Sequence, residues 1–156
     1  MFEGQLIWGT VIVVATVVVH VAALVAVSEL IKRIDSRTAW LRSKLGLFFV
    51  LDIAVSAIIF VHIIEAVGWA AIYCYLNEFQ SFGKALYFSI VTSTTLGYGD
   101  ITLSDQWQLL GSFEAMGGMI LFGVSTAYFI GLMQYAYADA TKAGKSTRSS
   151  ERVFGE

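Results

Sequence analysis

Apolar residues dominate three long stretches of the chain, and polar residues cluster between and after them. From Leu6 to Val27 the one ionisable side chain is His20. A second apolar run goes from Leu45 to about Tyr75, interrupted by Asp52, His62 and Glu65, and a third from Trp107 to about Tyr137 contains Glu114. Each run is long enough, as a helix, to cross a hydrocarbon layer of ~30 Å. The second exceeds that need and is expected to tilt or project beyond the layer. Between the second and third lies Asn77 to Gln106, whose first part, Phe82 to Ser93, is moderately apolar. That segment is long enough for a helix that enters the membrane and too short to cross it, so it is expected to return on the side it entered.

Composition agrees with this pattern. Of 156 residues, 57% are hydrophobic and 14% charged, too few polar groups to cover a soluble domain of this length. The net charge of −2 argues against a nucleic-acid partner, and the single cysteine, Cys74, excludes an intrachain disulfide. Charge placement sets the orientation. Lys32, Arg33, Arg37, Arg42 and Lys44 lie between the first two runs, and Lys142, Lys145, Arg148 and Arg152 follow the third; Lys84 alone of the ten basic residues lies elsewhere. The excess of Lys and Arg puts that linker and tail in the cytoplasm, with the N-terminus and the short segment outside. The linker, 32–44, is expected to form a short interfacial helix with Trp40 and Leu41 touching lipid, and Asp52 to pair with Lys44 or another basic linker residue. The polar tail, 138–156, is expected to be loose.

The short segment ends in Ser93-Thr94-Thr95-Leu96-Gly97-Tyr98-Gly99-Asp100. A potassium ion leaving water needs its hydration oxygens replaced, and rings of backbone carbonyls serve if several successive carbonyls point the same way. Glycine at alternate positions permits the positive φ that this requires, so Gly97 and Gly99 are placed to supply it. Thr95 can add its hydroxyl, and Asp100 would mark the outer mouth.

The stretch "TSTTLGYGD" resembles the selectivity filter of potassium channels, whose common form is T-V-G-Y-G-D. "ALYFSIVTSTTLGYGDI" is similar to the pore helix and filter of that family, and "GGMILFGVSTA" to its inner helix. The resemblance covers roughly Leu45 to Tyr137. It implies an all-α membrane protein with three transmembrane helices, a re-entrant pore helix and a filter. The implied pore domain is 45–137, with outer helix 45–76, pore helix 82–94, filter 95–100 and inner helix 107–137, preceded by an extra helix in 1–31. The K⁺ ligands would be the carbonyls of Thr95, Leu96, Gly97 and Tyr98, with Gly99 completing the filter. Tyr87 and Phe88 would form an aromatic cuff holding Tyr98, with Val91, Thr92 and Thr94 also supporting the filter. Leu96 replaces the usual valine, and Val91 stands where some bacterial channels carry a carboxylate paired with the filter aspartate. Met119, Phe122, Thr126 and Ile130 would face a cavity, Phe122 and Ile130 as apolar constrictions. Gly117 or Gly118 matches the family's hinge glycine; close helix packing is an equal reading of both.

One filter strand cannot surround an ion, so four identical chains are expected to assemble about an axis. The first helix lacks arginines at every third position and is not a voltage sensor. The arrangement looks like the small three-helix potassium channels of prokaryotes, and a cell-membrane location follows from that resemblance.

His62 and Glu65 share one face of the second run. Counted inward from the outer ends at ~1.5 Å per residue, Glu65 and Glu114 reach similar depths and are expected to meet behind the pore helix. That cluster reads either as a brace for the pore helix or as a proton-sensitive site. His-x-x-Glu also suits a helical metal site, but two ligands without further histidines fall short of a set. His20, alone in the middle of its span, is expected to pack against a neighbouring helix. An accessory, non-conducting subunit and a membrane enzyme using His62, Glu65 and Glu114 are the alternatives to a passive K⁺ channel. The enzyme reading lacks a metal or nucleophile constellation.

Overall fold

The computed structural model describes residues 2–38 and 43–153, and the side chains of 3–35, 43 and 45–138. Four helices follow one another: α1 (Phe2–Thr38), α2 (Lys44–Tyr75), α3 (Phe82–Ser93) and α4 (Gln108–Val153). In α1, α2 and α4 the segments Glu3–Asp35, Leu45–Tyr75 and Gln108–Ala138 are long and apolar enough to cross a membrane. A helix satisfies its own backbone donors and acceptors, which hydrocarbon cannot do for it. Hydroxyls inside the spans are satisfied in the same way: Thr10, Thr16 and Ser28 donate to the carbonyls of Leu6, Ile12 and Leu24, one turn back. Large apolar side chains remain exposed along all three, among them Val18, Phe60 and Met119, as expected where lipid rather than water is the solvent.

The chain divides into two compact units, and each long helix contributes to both. The first, Met1–Ala23 with Ile59–Val124, contains all of α3 and the glycine-rich stretch after it. Its core gathers Trp69, Tyr73, Phe88, Leu103 and Leu110, with Phe79 packed against them. The Tyr73 ring stands edge-on to both Phe79 and Phe88, at centroid separations of 6.2 and 5.2 Å. That arrangement brings the positive edge of one ring to the negative face of another. The second unit, Leu24–Ile58 with Ser125–Glu156, packs Ile31, Val50, Ala54 and Ala136 together, and Ser28 Oγ, its proton given to Leu24 C=O, accepts from the Tyr128 hydroxyl at 3.1 Å.

Local chemistry fixes where α2 stops and α3 starts. Asn77 takes the left-handed conformation (φ 59°), Glu78 N–H donates to Tyr73 C=O and Asn77 N–H to Cys74 C=O, both at 3.0 Å. This is the paired-bond cap that ends many helices, with asparagine in the position usually held by glycine. Ser81, in extended conformation, then caps α3 by accepting from Lys84 N–H. The Glu78 carboxylate reaches across to accept from the Ser104 backbone N–H and hydroxyl at 2.7 and 2.8 Å, tying the start of this excursion to its end.

Two expectations need correcting. Residues 32–38 continue α1 instead of forming a separate interfacial helix; Trp40 and Leu41 lie outside the described residues, as does the side chain of Lys44. Of the tail, residues 138–153 continue α4, and 154–156 lie outside the described residues. With no proline, and with alanine, lysine and arginine recurring after Tyr137, nothing in the sequence stops the helix.

Candidate functional site

The candidate site begins at the C-terminus of α3, where the last carbonyls of a helix lack partners within it. The following turn supplies them. Thr95 N–H donates to Thr92 C=O at 2.9 Å, and Val91 C=O accepts from Leu96 N–H at 3.0 Å and Gly97 N–H at 3.1 Å. The Thr94 hydroxyl donates to Ile90 C=O at 2.7 Å. Val91, Thr92 and Thr94 therefore act on this stretch through main-chain oxygens and a hydroxyl that clasp its first turn. Beyond the clasp the backbone alternates: Thr95, Gly97 and Gly99 have φ of 60°, 54° and 75°, and Leu96 and Tyr98 between them are not in the positive-φ region. Alternation of this kind lets successive carbonyls face one side of the strand, whereas ordinary extended chain points them to opposite sides. Thr95 carries a Cβ into a region that only glycine enters freely, a local strain the clasp must hold. Leu96 and Tyr98 are 55% and 66% exposed, so neither side chain is consumed by the packing of its own chain.

The aromatic residues of α3 divide differently from the expected cuff. The Tyr87 hydroxyl donates to Asp100 Oδ2 at 2.9 Å, and this bond, with the carboxylate charge, raises the phenol above its ordinary pKa. Asp100 thus has a hydroxyl partner in place of the carboxylate that Val91 does not provide. Phe88 points into the core against Tyr73 and Phe79. It positions α3, and it also shares the lining of a small cavity with Tyr87, Gly97 and Gly99.

Behind α3 the two buried carboxylates do not meet as expected. Glu114 on α4 accepts from Tyr73 on α2 at 2.6 Å and from Ser89 on α3 at 2.5 Å. All three side chains are fully buried, and their bonds join three helices at one point. Glu65 instead faces α1: its Oε1 lies 2.9 Å from His20 Nδ1, and its Oε2 lies 3.2 Å from His62 Nδ1. His20 thus packs against a neighbouring helix, as expected, and there it joins a cluster with Glu65 and His62. Both carboxylates line one cavity, yet each takes its own partners, and counting residues along a helix does not say which neighbours a side chain faces. Ser89 escaped the sequence reading since a serine hydroxyl in an apolar helix can satisfy itself on its own backbone, and Tyr73 since its ring reads as one more apolar side chain of the span. The demand of a buried carboxylate for donors was the signal that some such partner existed.

Gly117 and Gly118 sit at close contacts. A Cβ on Gly118 would collide with the backbone carbonyl of Ser93 at the end of α3, and one on Gly117 would meet Val13 of α1 at 3.4 Å. Helix α4 is continuous through both glycines. Met119, Phe122, Thr126 and Ile130 lie on the exposed side of α4, while Leu110, Glu114, Gly118 and Leu121 lie on its buried side. Phe122 also stacks on the His62 ring, at a centroid distance of 4.6 Å.

The comparisons with known proteins cover this region. A family model described as "Ion channel" matches residues 56–135, slightly more than half of the chain. The "TWiK family of potassium channels protein 18" of Caenorhabditis elegans is 31% identical over 75 residues, which is 48% of this chain and 15% of that protein. The chain thus spans about one-seventh of the length of that relative. No solved structure matches significantly. Three spans, a short capped helix and the TTLGYGD stretch agree with both matches, and the chain belongs to the potassium channel pore-domain family of ion channels.

Proposed function

We propose that the protein is a K⁺-selective channel in which four copies surround one axis and conduct passively through a filter built from Thr95, Leu96, Gly97, Tyr98 and Gly99. The observation that carries this reading is the alternating backbone of the TLGYG stretch, positive in φ at Thr95, Gly97 and Gly99 and not between. It supports a ladder of carbonyl ligands for K⁺, the groups that can replace the hydration shell of that ion. In this reading α3 re-enters the membrane, with its C-terminal, partly negative end toward the ion path, favouring a cation there. Asp100 stands at the outer mouth, and Met119, Phe122, Thr126 and Ile130 face the inner cavity. The exposed side chains of Leu96 and Tyr98 are covered by neighbouring copies. The absence of an arginine series in α1 favours gating by something other than a voltage sensor, and the basic linker and tail favour a cytoplasmic C-terminus.

The test is K⁺ release from liposomes containing the purified protein, compared with Na⁺ release, with Gly97→Ala as control. At φ 54° an alanine is strained whatever space surrounds it. Flux selective for K⁺ and abolished in the variant is expected. Equal K⁺ and Na⁺ flux, or K⁺ flux unchanged by Gly97→Ala, would overturn the assignment of the filter.

A further inference from the structure

His20, His62 and Glu65 play no part in the proposed ion path, yet two imidazoles and a carboxylate converge within the spans of one unit. Each offers one ligand atom, and the three atoms lie within 4.8 Å of one another. Glu65 is 8% exposed and His20 fully buried. Glu65 Oε2 is buried and makes no hydrogen bond, although His62 Nδ1 lies 3.2 Å from it. A carboxylate oxygen held in this way in apolar surroundings has lost its hydration without a full replacement, a cost that a bound cation would remove.

We propose that His20, His62 and Glu65 form a binding site for a divalent transition-metal ion of the Zn²⁺ class. Zinc binds nitrogen and carboxylate oxygen at ~2.0–2.2 Å, so tetrahedral ligand atoms sit roughly 3.4 Å apart. The two rings face different oxygens of the Glu65 carboxylate, His20 Nδ1 lying 2.9 Å from Oε1 and His62 Nδ1 3.2 Å from Oε2. One ligand atom from each residue already lies within 4.8 Å of the others, and small rotations of the carboxylate and of the two rings, whose centroids are 5.0 Å apart, would close that gap. The donor set selects the class of ion. Ca²⁺ and Mg²⁺ take oxygen ligands, whereas two imidazoles with one carboxylate suit zinc and its neighbours. Three protein ligands leave a fourth position for water. His62 and Glu65 also line a cavity of about 250 Å³, bounded by Val13, Ile59, Trp69 and Leu121, with room for that water.

The site joins α1 to α2, and the stacking of His62 on Phe122 extends the connection to α4. A bound ion would hold these helices in one arrangement. This inference does not rest on the conduction reading, because it is read from metal content and not from flux.

Untagged full-length protein in detergent is stripped with a chelator, dialysed against Zn²⁺ and analysed for metal per chain; Co²⁺ is then substituted and its visible absorption recorded. One Zn²⁺ per chain is expected, with Co²⁺ bands of four-coordinate intensity. Glu65→Gln, His20→Gln and His62→Gln should each weaken binding by more than the roughly 10–100-fold that losing an outer partner of a ligand costs. The His62 side chain is 20% exposed, so His62→Gln decides the matter if either buried variant fails to fold. Folded wild-type protein that retains no stoichiometric zinc, or zinc retained equally by folded His62→Gln, would overturn the proposal.

Discussion

Glu65 and Glu114 are both carboxylates buried in spanning helices of the same unit, and their surroundings give them different work. Glu114 receives two hydroxyl protons, from Tyr73 and Ser89, on two other helices. Hydroxyls of this kind donate and hold; they offer no competition for a metal, and the resulting hub fixes α3 between α2 and α4. Glu65 faces two imidazoles, groups that exchange a proton for a metal ion at little structural cost. The same residue type is thus a fastener in one place and a candidate ligand in the other. What differs is the partner set, which helix packing decides.

The sharpest way to break this contrast is to remove the hub. Glu114→Ala leaves the Tyr73 and Ser89 hydroxyls buried without their acceptor and opens a cavity. The expected loss is about 3 kcal/mol or more in a reversible unfolding assay in detergent or bicelles. Liposome flux should lose K⁺ selectivity as α3 loosens. A near-unchanged stability would show that the hub is not a fastener.

Next in size is a ligand effect confined to the other carboxylate. Zn²⁺ at ~100 times its Kd should stabilise the wild-type protein by about 2.7 kcal/mol. The same shift is expected in Ser89→Ala and none in Glu65→Gln, measured by thermal unfolding with and without the metal. A shift abolished by Ser89→Ala would merge the two sites and dissolve the contrast.

Smaller effects compare one substitution at two depths. Tyr73→Phe removes a buried donor to Glu114 and should cost about 1–2 kcal/mol, near the upper end of measured interhelical hydrogen bonds in membranes. Tyr87→Phe removes an exposed donor to Asp100 and should cost about 0.5 kcal/mol or less, read in the same unfolding assay. If the two costs were equal, burial would not be what gives the hub its strength.

The backbone of the TTLGYGD stretch was readable residue by residue, because its chemistry is local. Positive φ at Gly97 and Gly99 follows from the absence of a Cβ, and the short α3 follows from Ser81, the apolar run and its length. Thr95 was less legible: its positive φ is imposed by the hydrogen bonds to Thr92 and Val91, not by its own side chain. The polar cluster was legible in part. That buried carboxylates need donors could be said of Glu65 and Glu114 from sequence, but their partners could not be chosen. His20 lies 45 positions from Glu65, and Ser89 lies 25 from Glu114. No periodicity within one helix reports on such distances.

The sequence by itself determined the three spans, the short helix between two of them, the glycine-rich turn and its family. Each of these depends on neighbours in the chain: hydropathy over some twenty residues, a cap, an alternation of glycines. Only the tertiary structure decided that Glu114 binds Tyr73 and Ser89, that Glu65 meets His20 and His62, and that Gly118 lies under the Ser93 carbonyl. Those contacts depend on the rotation of each helix about its own axis. Nearly uniform apolar faces leave that rotation unspecified until the side chains of neighbouring helices interlock.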